Sequence, residues 1–163
     1  MKARIDFEKV LLPKAMQALG STVKYVNNSG LDHRLLELVK MRTSQLNGCA
    51  YCIDMHSKDA RAAGETEQRL YLLDAWRETP LYTERERAAL EWTEAVTNVA
   101  DGHVPDEVFA SVRNHFSDEE LLSLTIAVIA TNSFNRLNIA FRPDVGDYRP
   151  GMFDQPKKGQ AAD

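Results

Sequence analysis

Apolar residues recur along this chain at intervals of three and four, and Val and Ile nowhere alternate with polar residues over the length of a strand. The pattern predicts an all-α fold of about six to eight helices. A first helix runs from about Leu11 or Pro13 to Val26 and stops at Asn27-Asn28-Ser29-Gly30. Asp32 is placed to cap a second, whose apolar positions are Leu35, Leu36, Leu38, Val39 and Leu46 and whose end is Asn47-Gly48. A third opens near Cys49 and closes at Ala63-Gly64. Thr66 caps a short helix through Leu73. Thr83 with Glu86 forms a capping box for a helix to about Val99. Pro105 suits the first turn of a helix through His115. Ser117 with Glu120 is a second capping box, and it opens the most hydrophobic segment, Leu121 to Ala140, expected to be the central helix and to end before Pro143.

This organisation gives one domain over residues 1–163, with a core from about 5 to 143 and an extended tail over 144–163. The tail holds Gly, Pro and Lys and few apolar anchors, so it reads as a mobile end or as an arm that orders against a neighbouring subunit. The 163 residues and 44% apolar content are enough for a buried core. The formal charge of -4 argues against a nucleic-acid partner, which needs concentrated Lys and Arg. No apolar run approaches the roughly 20 residues that span a bilayer. The first residues lack a secretory signal pattern, so the cytoplasm is the expected compartment.

The chain has two cysteines, set as Cys49-Ala50-Tyr51-Cys52. In a reducing compartment such a pair points to redox chemistry or a metal site. One helical turn puts both sulfurs on one face, within the Cα separation that a disulfide can bridge, and His56 follows on that face a turn later. Cys49 also falls near a helix N-terminus, where unpaired N–H groups favour thiolate. Glu37, on the preceding helix, could meet His56 across the Asn47-Gly48 turn and orient its ring, completing an orienter–base–nucleophile arrangement with Cys52.

Glu37, eleven residues, Cys49, two residues, Cys52, three residues, His56: this signature resembles that of the alkylhydroperoxidase D-like branch of the carboxymuconolactone decarboxylase superfamily. The likeness is strongest over Leu31 to Gly64, and Asn132-Ser133-Phe134-Asn135-Arg136-Leu137-Asn138 looks like that family's final core helix. The resemblance implies an all-α oligomer, a homo-trimer or homo-hexamer. It implies that Cys52 attacks a small hydroperoxide and becomes a sulfenic acid, which Cys49 resolves to a disulfide. His56 and Glu37 would relay protons. A dithiol, such as a lipoyl group or a thioredoxin-like protein, would restore the thiols, with no metal or other cofactor. Where the family prototype has a second histidine between the cysteines, this chain has Tyr51, a much poorer base near neutral pH, so weaker or differently selective activity is expected.

Other readings use the same residues. Lactone decarboxylation needs general acid and base groups but no disulfide cycle. A disulfide reductase or redox sensor would share the cysteines. Cys49, Cys52, His56 and Glu37 could supply four zinc ligands, although structural zinc sites usually draw ligand pairs from separate loops. Glu37 alone could simply pair with Lys40 or Arg34. His33, His103 and His115 read as surface or capping residues, Trp76 and Trp92 as core or interface packing. The run Glu84-Arg85-Glu86-Arg87 reads as a solvated face, and Asn132, Asn135 and Asn138, on one helical side, as a subunit interface in preference to a cavity lining.

Overall fold

The local signals act where the sequence placed them. Asp32 Oδ1 accepts the backbone N–H groups of Arg34 and Leu35 at 2.8 and 3.0 Å, and both Thr83–Glu86 and Ser117–Glu120 form reciprocal capping boxes. The computed structural model describes residues 3–5 and 13–153. Within them the chain forms seven α-helices: α1 (Pro13–Asn27), α2 (His33–Asn47), α3 (Ala50–Ala62), α4 (Glu67–Tyr71), α5 (Glu84–Thr97), α6 (Asp106–Arg113) and α7 (Asp118–Phe141). A 3₁₀ segment, Leu73–Glu78, lies between α4 and α5, and there is no strand among the described residues. Hydrophobic spacing does not predict the 3₁₀ segment. It turns Leu73 and Trp76, three residues apart, into the same core, and it ends at Thr79, which is extended because Pro80 follows. Leu11, the alternative start of the first helix, lies outside the described residues.

Two apolar clusters fill the interior. One joins α1, α2, α5, α6 and α7 around Leu36, Trp92, Val112 and Leu124. The other joins α2, α3, α4, the 3₁₀ segment and α5 around Leu38, Leu73, Trp76 and Leu90. Both tryptophans are core residues, and their indole N–H groups are satisfied by Glu94 and Thr125. α7 packs on α1, α2, α3, α5 and α6, yet Leu122, Ile129 and Ile139 stay exposed on its outer side. The unbroken burial belongs instead to α2, from Leu38 to Ser44. Hydropathy understates α2 because Lys40, Arg42, Thr43 and Ser44 are buried with polar partners.

Two surface readings are corrected. The run Glu84–Arg87 binds neighbouring elements: Arg85 reaches Glu120 at 2.7 Å, Glu86 pairs with Arg69, and Arg87 donates to the Trp76 carbonyl at 3.0 Å. Of that run only Glu84 is exposed. The segment after Pro143 is no free tail in its described part. Lys58 of α3 donates to the carbonyls of Gly146 and Tyr148 at 2.8 and 3.1 Å, and Tyr148 is buried. A lysine and an aromatic anchor fix a segment whose composition looked unanchored. Residues 154–163 lie outside the described residues.

Candidate active site

Gly48 makes the turn between α2 and α3. Its φ of 67° lies in the left-handed region that favours glycine, and the backbone N–H of Cys49 then returns to the Ser44 carbonyl at 3.0 Å. Cys49 caps α3: its sulfur accepts the backbone N–H of Cys52 at 3.4 Å. Cys49 and Cys52 are bonded to each other, with Cα atoms 5.3 Å apart. Both are 1% exposed.

The turn folds α3 back onto α2, and Glu37 meets His56 there. His56 Nδ1 lies 3.0 Å from Glu37 Oε2. Nδ1–H donates to the carboxylate, which leaves Nε2 as the basic ring atom. The other carboxylate oxygen accepts Lys40 Nζ at 2.8 Å, and Lys40 also donates to Asn27 Oδ1 at 3.2 Å. Glu37 therefore bonds both His56 and Lys40. Burial alone would raise its pKa. The hydrogen bond and charge of His56, with Lys40 behind them, outweigh burial and hold the pKa at about 2 against an ordinary 4.5. Glu37 is a permanent anion near neutral pH, as an orienting group requires.

Three further groups belong to this region. Asp59, one turn beyond His56, accepts the Tyr148 hydroxyl on both oxygens at 2.9 and 3.0 Å. Its pKa is raised, by burial first and also by the charge of Glu37, against the Tyr148 hydrogen bond that lowers it. Asn138 Nδ2 donates to Cys52 Sγ at 3.3 Å. Tyr51 is half-buried, and burial with the charge of Asp54 raises its phenol pKa, so it stays protonated and can donate but not act as a base.

The asparagine side of α7 turns inward. Asn47 donates to Asn132 Oδ1 and Asn135 Oδ1 at 3.0 and 2.9 Å, and Asn135, fully buried, donates to Ser44 Oγ at 3.1 Å. These amides lock the α2–α3 turn from α7, which corrects the subunit-interface reading of Asn132, Asn135 and Asn138. The lining alternative is the nearer one. Their three-residue spacing was the available signal; Asp59 and Tyr148, 89 residues apart, carried none.

Among the described residues, Glu37, His56 and Asp59 bring three metal-ligating atoms within 4.8 Å of one another. A cation there would have to displace Lys40 from Glu37 and Tyr148 from Asp59. The sulfurs, bonded to each other, offer no thiolate to a metal in this state. His33, at the start of α2, and His103 are exposed and His115 is half-buried, and none of them is among the residues that meet Glu37, His56 or the sulfurs.

Comparison with known proteins agrees with this architecture. The family model for the carboxymuconolactone decarboxylase family matches residues 11–95. The uncharacterized protein YdfG of Bacillus subtilis is 42% identical over 140 residues, covering 86% of this chain and 95% of its own. A crystal structure of an Agrobacterium tumefaciens protein of unknown function, described as a candidate AhpD antioxidant defence protein, superposes with a TM-score of 0.85 at 45% identity. The match covers 90% of this chain and all of that one. The debrominase Bmp8, at 23% identity and a TM-score of 0.74 over 83% of this chain and 73% of its own, shares the fold. The chain thus belongs to the carboxymuconolactone decarboxylase family, in its alkylhydroperoxidase D-like branch.

Proposed function

We propose that this protein is a thiol peroxidase that reduces small hydroperoxides with its Cys49–Cys52 pair. The observation that carries the reading is the bonded pair at the start of α3 with His56 one turn on, held by the anionic Glu37. In the reduced protein the Cys52 thiolate attacks the outer peroxide oxygen. A sulfur–oxygen bond forms, the O–O bond breaks, and the alkoxide leaves as an alcohol with a proton delivered through His56. Cys49 then attacks the sulfenic sulfur, releases water and closes the disulfide. Two thiols thereby give two electrons to one peroxide, and an external dithiol restores them by exchange.

The burial of both sulfurs supports a small oxidant, and a slender dithiol such as a lipoyl group over a bulky thioredoxin-like protein, as reductant. It also weighs against a disulfide reductase acting on folded proteins. Lactone decarboxylation, the reaction in the family's name, leaves the sulfur pair and its donors unused. The proposed cycle needs a reducing compartment such as the cytoplasm, and no helix among the described residues is long and apolar enough to cross a membrane. Exposed Leu122, Ile129 and Ile139 on α7 support assembly as a homo-trimer or homo-hexamer.

The test is hydroperoxide consumption with a lipoyl dithiol or a thioredoxin system as reductant. Turnover should vanish in Cys52→Ser and fall steeply in His56→Gln and Glu37→Gln. Peroxide loss that is unchanged in Cys52→Ser would overturn the reading.

A further inference from the structure

Each sulfur of the pair receives one hydrogen bond, and the two donors differ in kind. Cys49 Sγ takes a backbone N–H, that of Cys52, at 3.4 Å. Cys52 Sγ takes a side-chain amide, Asn138 Nδ2, from a helix 86 residues further along the chain, at 3.3 Å. The backbone donor is part of the helix start and comes with any N-cap cysteine. The amide on Cys52 is a separate provision. Its two companions on the same side of α7, Asn132 and Asn135, are committed to Asn47. Asn138 sits one turn before the end of α7, where its own carbonyl accepts the N–H of Arg142 at 2.8 Å. That closing bond fixes the backbone from which the amide reaches the sulfur.

We propose that Asn138 is a further catalytic residue, holding Cys52 as a thiolate and aiming its sulfur at the peroxide. The proposal rests on Cys52 being the attacking thiol. An amide N–H suits the task because it stabilises an anion without protonating it. The Asn138 amide neither gains nor loses a proton in the cycle. It donates to the thiolate before attack, and it can follow the negative charge as sulfur takes up oxygen. The moving proton stays with His56. Generating the nucleophile is thus divided between a base on α3 and a fixed neutral donor on α7.

The experiment uses the full chain in a Cys49→Ser background, where Cys52 is the only thiol, and follows its alkylation by iodoacetamide across pH. A hydrogen bond to a charged group is worth enough to alter a thiolate population by about tenfold. Asn138→Ala and the similarly sized Asn138→Leu should each move the midpoint up by about one pH unit. Asn138→Asp, which puts a second anion beside the sulfur, should move it up at least as far, and Asn138→Ser should recover part of the loss. In the two-cysteine protein, Asn138→Ala should lower kcat/KM for tert-butyl hydroperoxide about tenfold. Circular dichroism and thermal melting identify the variants that fold. Asn138→Leu, neutral and of similar size, keeps the test decisive if Asn138→Ala does not fold. A purely structural role would lower the melting temperature and leave the midpoint in place, and an unmoved midpoint in the folded variants overturns the proposal. If the midpoint shifts but the wild type consumes no hydroperoxide, the assignment of Asn138 to the Cys52 thiolate holds and the peroxidase reading falls. If the wild type turns over peroxide and the midpoint stays put, the peroxidase reading stands and the role of Asn138 falls.

Discussion

Replacing Glu37 by Gln keeps the side chain's shape and removes its charge. In the native protein that charge faces His56 at 3.0 Å and Lys40 at 2.8 Å. The carboxyl titrates at about 2 in place of 4.5. At about 1.4 kcal/mol for each pH unit, the anion contributes on the order of 3 kcal/mol to folding. The sign follows from the lowered native value. The contribution is complete above the ordinary Glu range and is lost as pH falls from about 4.5 toward about 2. Urea unfolding of the oxidised protein, followed by the fluorescence of buried Trp76 and Trp92, should show Glu37→Gln about 3 kcal/mol less stable at pH 7. The gap should narrow steadily below pH 4.5. A gap below about 1 kcal/mol at pH 7, or one of equal size at pH 3, would refute the claim that this carboxylate is a buried, paired anion.

Tyr148→Phe removes the hydroxyl from Asp59 and should cost about 1–2 kcal/mol in urea unfolding, with faster amide exchange across residues 144–150. Exchange rates equal to wild type would show that Tyr148 does not fasten this segment. Asn135→Ala takes one buried acceptor from Asn47 and the buried donor from Ser44 Oγ and should cost about 2 kcal/mol in urea unfolding, whereas Arg136→Ala, on the exposed side of the same helix, should stay within about 0.5 kcal/mol by the same measurement. Ser117→Ala breaks the capping box of α7 and should cost about 1 kcal/mol of thermal stability.

The helices were legible because their signals are local. Asp32, Thr83 and Ser117 act on backbone groups two or three residues away, and Gly48 needs only its own φ. The four candidate site residues were legible through helical spacing and the shared signature. What escaped was chemistry between distant elements. Arg42 of α2 lies between Asp74 and Glu94, Asp59 lies under Tyr148, and Asn138 lies on Cys52. None of these pairs has a period that marks it. The α7 asparagines resembled a subunit interface and the polar run of α2 gave no sign of its burial, since partners from other elements decide whether burial is tolerable. The 3₁₀ segment escaped because Leu73 and Trp76 take their places through packing, which overrides weak local preference.

A single-turnover titration addresses the central claim directly. The fully reduced protein carries two thiols per chain. Mixed with one equivalent of tert-butyl hydroperoxide under argon, it should lose both thiols, form one intramolecular disulfide and release one equivalent of tert-butanol. The Cys52→Ser variant should retain its thiol and its peroxide. Wild-type protein that keeps both thiols after the same exposure, with the peroxide intact, would contradict the account.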